Sequence, residues 1–251
     1  VSVVRPEEQN IDTSLAKGLA AGSRSYTIYL PLYNGVEYLD IGIENGSIFK
    51  PLQPRIEKPI LFYGTSIMQG ACASRPGLAI PAILGRRLRR PTINLGFSGN
   101  GWMEAEVASL LAELNPCVFV IDCLPNMNEE SVSERTIPLV KKLREVHTKT
   151  PILLVEDRSF TNTPFFPSFE TYHNKSRAAL KSSYSELTES GVENIYYLDG
   201  DNLLGNDGEG ATDGSHPNDL GMVRYADAYE PVLRSILEKH PSRIPKNKII
   251  D

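Results

Sequence analysis

Cysteine is scarce. The 251 residues hold three, Cys72, Cys117 and Cys123, too few for a disulfide framework. Cys117 and Cys123 flank the apolar run VFVID, which as a strand separates them by roughly 20 Å, beyond disulfide reach. There is no C-x-x-C pair to suggest zinc, and no metal or cofactor is expected. An excess of positive charge is also missing. With 26 Lys and Arg against 31 Asp and Glu, the chain offers no basic field for nucleic acid or anionic lipid. No apolar run approaches the roughly 18 residues that a membrane span needs, so no span is expected. The opening VSVVRPEEQN lacks the charged and apolar regions of a signal peptide. A removed leader would leave the same start, so the compartment stays open, periplasmic or secreted included.

What is present divides the chain in two. Residues 1–58 contain two aromatic, β-branched runs, SYTIYLPLY (25–33) and VEYLDIGI (36–43), joined near Asn34-Gly35. That pattern predicts a hairpin. A two-stranded hairpin is not stable alone, so a small β extension docked on the rest is expected. After the Pro-rich connection KPLQPRIEKP, residues 59–251 alternate short apolar runs with helical patterns. ILFYG (60–64), TINLG (92–96), CVFVID (117–122), PILLVE (151–156) and NIYYLD (194–199) read as buried strands. Helices are expected near 79–90, 103–114, 131–147, 170–190 and 219–238. Such alternation predicts a flavodoxin-like, three-layer α/β/α domain with a parallel five-stranded sheet. Right-handed crossovers then gather every strand's C-terminal end along one rim, where open α/β sheets bind ligands.

That rim collects the chemistry. The first strand ends in Gly64-Thr65-Ser66-Ile67 and the second runs into Gly96-Phe97-Ser98-Gly99. Asn126 follows the third strand, and Asp213-Gly214-Ser215-His216-Pro217 follows the fifth. A serine hydroxyl needs a base to become a nucleophile. His216 is the best candidate among four histidines, and Asp213, three residues earlier, can reach its Nδ1 through one tight turn. Nε2 is then left for Ser66. The oxyanion that forms needs fixed donors: the backbone N–H groups of Ser66 and Gly99 can serve, and the Asn126 amide can add a third.

Taken together, these four blocks resemble the SGNH, or GDSL-type, hydrolase superfamily, in its usual order over residues 60–240. The resemblance implies a cofactor-free Ser66-His216-Asp213 esterase with an oxyanion hole of Ser66, Gly99 and Asn126. Two departures stand out: Thr65 occupies the place of the usual Asp, and Leu124-Pro125-Asn126-Met127 replaces Gly-x-Asn-Asp. A subfamily with such blocks behind a β-sandwich is associated with acyl esters of carbohydrates or other small hydroxyl compounds. That points to short-chain, above all acetyl, esters of a small molecule or oligosaccharide. Transfer of the acyl group to a hydroxyl acceptor is the neighbouring alternative. A non-catalytic carbohydrate-binding protein is another, against which the intact Ser, Asp and His argue.

Each residue also has a plainer reading. Ser66 can start a helix, Asp213 can cap a turn and His216 can be a loop residue. Gly99 and Asn126 are of types common in turns. Gly96-Phe97-Ser98-Gly99-Asn100 imitates a nucleophile elbow but lacks its last Gly, so Ser98 is expected to be a turn residue. The carboxylates between Asp199 and Asp213 miss the EF-hand spacing at Leu203. Trp102 and the loop 158–169, Phe165 included, are candidates for the substrate wall, with core packing as the competing role.

Overall fold

The computed structural model describes residues 11–241. The first ten residues of the N-terminal region, and the last ten of the region 59–251, lie outside them. Five strands form as the apolar runs predict: β1 (Ile60–Gly64), β2 (Thr92–Gly96), β3 (Val118–Asp122), β4 (Ile152–Val155) and β5 (Ile195–Leu198). All pair in parallel, in the order β2-β1-β3-β4-β5. β1 and β3 are buried over their whole length.

Alternation along the strands sorts the core into two halves. Leu61, Tyr63, Phe119, Ile121 and Leu154 face α3 (Ala105–Ala112), α4 (Glu129–Val146) and α5 (Pro167–Glu189). Ile60, Phe62, Val118, Val120, Leu153 and Val155 face α1 (Ser66–Gln69), α2 (Ile80–Arg87) and α6 (Asp219–Lys239). The result is the expected three-layer α/β/α sandwich. Side-chain caps define several helix starts: Thr65 for α1, Asn128 for α4 and Asn218 for α6. Helix α3 begins two residues later than its pattern suggests. Met103 has φ +55°, and Glu104 is extended, its carboxylate taking the Tyr63 hydroxyl at 2.5 Å and the Trp102 N–H at 3.0 Å.

The expected hairpin does not form. Residues 11–58 contain neither helix nor strand, and Tyr26, Ile28, Leu30, Tyr38 and Ile41 are exposed. Alternation alone cannot hold two strands together when no third strand or helix covers their apolar face. The segment does dock on the α/β domain, through Tyr29 and Leu32 among other residues. Arg86 donates to the Tyr29 hydroxyl at 3.0 Å and lies over its ring, and the Gln69 amide donates to the Leu32 carbonyl at 3.0 Å.

The strand ends are packed backbone against backbone. A Cβ on Gly96 would overlap the backbone of Gln69 and Met68, whereas one on Gly35 would meet nothing. Gly96→Ala is therefore expected to lower stability by about 3 kcal/mol, and Gly35→Ala to change it by under about 0.5 kcal/mol. Urea titration checks this as a shifted midpoint at constant slope.

Candidate functional site

The turn after β1 is built from its first residue onward. Thr65 accepts the Ile67 N–H at 3.3 Å on its hydroxyl, so the residue that replaces the usual Asp serves as the helix cap. Ser66 then opens α1, 7% exposed, its hydroxyl at the end of the helix where peptide dipoles favour negative charge. Its Oγ lies 3.0 Å from His216 Nε2.

The partner comes from the loop between β5 and α6. His216 Nδ1 lies 2.7 Å from Asp213 Oδ2, while Asp213 Oδ1 accepts the backbone N–H groups of His216 at 2.7 Å and Ser215 at 2.9 Å. A left-handed Gly214, φ +85°, lets the chain turn tightly enough for this. Partial burial works to raise the Asp213 carboxyl. The His216 N–H, the imidazole and the Ser215 N–H outweigh it and hold the group at about 2, against an ordinary 3.8. The carboxylate therefore stays charged beside the imidazole throughout the neutral range.

Gly99 and Asn126, expected as oxyanion donors with Ser66, stand on two further loops. Gly99, φ +70°, has open space where a Cβ would be. Among the described residues, no turn or loop hydrogen bond engages the N–H of Ser66 or of Gly99. Asn126 ends a short 3₁₀ turn after β3 and donates one amide hydrogen to the Asn100 carbonyl at 2.8 Å. Among the described residues, no further hydrogen bond engages its amide. The neighbouring departure, Met127, is buried, and its carbonyl accepts from Tyr172 at 2.9 Å and Ser176 at 3.2 Å. Two residues have no signal in the sequence: Gln69, which accepts the Ser98 N–H at 2.9 Å and ties the Gly99 loop to α1, and Arg158, which is bonded to Ser215. Neither belongs to a motif, and each acts across the fold, so spacing gives no signal for them.

Other candidates resolve differently. Ser98 is exposed in its turn, with no imidazole contact among the described residues. Trp102 is 40% and Phe165 81% exposed; no hydrogen bond or ring contact links either side chain to Ser66 or His216. Phe160, by contrast, packs on Phe169 and His173. The acidic stretch is taken up by cations: Asp199 by Lys181, Asp201 by Arg177 and Asp207 by Arg224.

Such an arrangement can move a proton from a serine hydroxyl to an imidazole beside a set of unengaged donors, as acyl transfer requires. Residues 1–49 match the N-terminus of the SGNH-hydrolase type of esterase. No curated protein matches the chain. Among solved structures, a protein described as a GDSL-like lipase from Bacteroides ovatus is 40% identical, over 72% of this chain and 54% of that one, with a TM-score of 0.71. This chain thus corresponds to about half of that protein's length. A salicylyl-acyltransferase from a tetracycline biosynthetic pathway is 21% identical, over 74% and 57% of the two chains, at a TM-score of 0.64. A family two carbohydrate esterase from Clostridium thermocellum is 14% identical, over 74% and 66%, at 0.59; these two share the fold. Residues 57–234, which span the sheet and all four rim loops, match the model of the GDSL-like lipase/acylhydrolase family, and the chain belongs to that family.

Proposed function

We propose that this chain is a serine esterase that hydrolyses short-chain acyl esters, acetyl above all, of a carbohydrate or other small hydroxyl compound. The observation that supports it most is the continuous hydrogen-bonded line from Ser66 Oγ through His216 to Asp213, at 3.0 Å and 2.7 Å. In this reading Ser66 Oγ attacks the ester carbonyl while His216 Nε2 takes its proton. The imidazolium gains stabilisation from the Asp213 carboxylate. The tetrahedral oxyanion is met by the N–H groups of Ser66 and Gly99 and by the Asn126 amide. Collapse releases the alcohol, protonated by His216. Water then attacks the acyl-enzyme, His216 accepts its proton, and the carboxylic acid leaves as Ser66 regains its hydrogen.

The rim supports this choice of substrate class. The loop that bears Gly99 exposes the rings of Phe97 and Trp102 beside Ser98 and Asn100. Flat apolar faces next to amide and hydroxyl groups suit a sugar ring. An acyl tail would gain about 0.8 kcal/mol per buried CH₂ only with a groove to hold it.

Ser66→Ala is expected to abolish turnover and leave the fold intact, and a fluorophosphonate probe should label the wild type at Ser66 alone. Labelling at Ser98, or turnover that survives in Ser66→Ala, would overturn the assignment. Asn126→Ala should lower kcat by about 10²–10³-fold with little change in KM; an unaltered kcat would reduce Asn126 to a loop tie. Across p-nitrophenyl esters from acetate to octanoate, kcat/KM should fall steadily, and acetylated sugars should be hydrolysed. A rate that rises through octanoate would replace the carbohydrate reading with an acyl groove.

A further inference from the structure

Arg158 follows β4 by three residues and is only 2% exposed, unusual for a guanidinium. Each of its nitrogens is used. Nη1 donates to the buried Asp157 carboxylate, Nε to the Ser215 carbonyl at 3.1 Å and Nη2 to the Ser215 hydroxyl. The guanidinium carbon lies 4.5 Å from the centre of the Phe160 ring. Asp157 is held in turn, with His173 Nδ1 2.6 Å from its other oxygen. Ser215 stands between Asp213 and His216, and its own N–H already donates to Asp213. A second tie comes from the same loop, where the Thr161 N–H donates to the Gly214 carbonyl at 2.9 Å.

We infer that Arg158 is a positioning residue for the proposed esterase reaction: through Ser215 it fixes the turn that aims His216 Nε2 at Ser66. The inference rests on the esterase reading given above. Asp213 and His216 share a partly exposed turn containing a glycine, and such a turn is free to rock unless something rigid grips its middle. Arg158 supplies that grip with a planar fork bonded at once to the main chain and the side chain of one residue. No hydrogen bond links it to the imidazole or to Ser66, so its influence passes through the turn at Ser215. A lysine keeps the charge next to Asp157 but cannot span both oxygens of Ser215.

The test compares Arg158→Lys, Ser215→Ala and the double variant, all measured well below their melting temperatures. Arg158→Lys should lower kcat by about 30-fold with KM within about twofold, as lost outer support does at other sites. Ser215→Ala, which removes one partly exposed hydroxyl and leaves the fold intact, should lower it about fivefold, and the double variant should be no worse than Arg158→Lys. The downfield proton resonance of the His216–Asp213 hydrogen bond should broaden or shift in both single variants. If kcat and this resonance stay at wild-type values in the folded variants, or if the two effects on kcat multiply independently, Arg158 is a structural ion pair only. Failure of the esterase reading would show elsewhere, as a wild type without turnover or Ser66 labelling. In that case the resonance alone would still decide whether Arg158 controls the turn.

Discussion

Gly64 is where the rim is decided. The last residue of β1, which lies between β2 and β3, it registers between Gly96 on one side and Asp122 on the other. A Cβ there would lie 2.5 Å from the Asp122 carbonyl oxygen and 3.0 Å from Met68 Cβ. The Gly64 carbonyl accepts the Phe97 N–H at 3.0 Å, and Gly101 is pressed against the same group. Three loops thus meet main chain to main chain, with no side chain acting as a spacer. The turn bearing Ser66 and the loop bearing Gly99 are consequently related by main-chain contacts, with the Gln69 side chain as an added tie. Placement of reacting groups to within fractions of an ångström depends on that kind of support.

Most of this was legible in the sequence because its cause is local. Apolar runs of four or five residues, separated by amphipathic stretches, specify buried parallel strands, and the strand ends then dictate which loops share a rim. Asp213 and His216 could be paired because three residues separate them. The places of Ser66 and Asn126 on the rim are legible in the order of blocks along the chain. Other features have no local cause. The hairpin expected over 25–43 has the right alternation, but alternation cannot report whether anything covers it. Arg158, Gln69 and the bond from Tyr229 to Asp122 at 2.5 Å join residues far apart in the chain, and nothing in the composition around them marks the contact. Trp102, three residues past Gly99, and Phe165, in a Phe-rich loop, are candidates by position and ring type, neither of which fixes the direction of a side chain.

Beneath the rim, two strand-end carboxylates take opposite courses. Burial works to raise both Asp122 and Asp157. At Asp122 it prevails over the Tyr229 hydrogen bond, and the group reaches about 7. At Asp157 the adjacent Arg158 charge and His173 reverse the outcome and hold the carboxyl below its ordinary value. Their contributions to folding therefore slope in opposite directions. Asp122 takes up a proton on folding, so its contribution is greatest below its ordinary 3.8 and declines as pH rises through about 7. Asp157 contributes fully above that ordinary value and loses its contribution as pH falls.

Asp213 and His216 are three residues apart, but the bond from His216 to Ser66 closes a span of 150 residues. Strands β2 to β5 and helices α2 to α5 all lie within that span. Closing so long a loop depends on contacts that accumulate late in folding. Helical signal and even sheet formation can precede it. With Ser66 as the proposed nucleophile, its reactivity would be a census of fully assembled molecules: a partly folded chain, however rich in secondary structure, would remain silent to a reagent that requires the serine and the imidazole side by side.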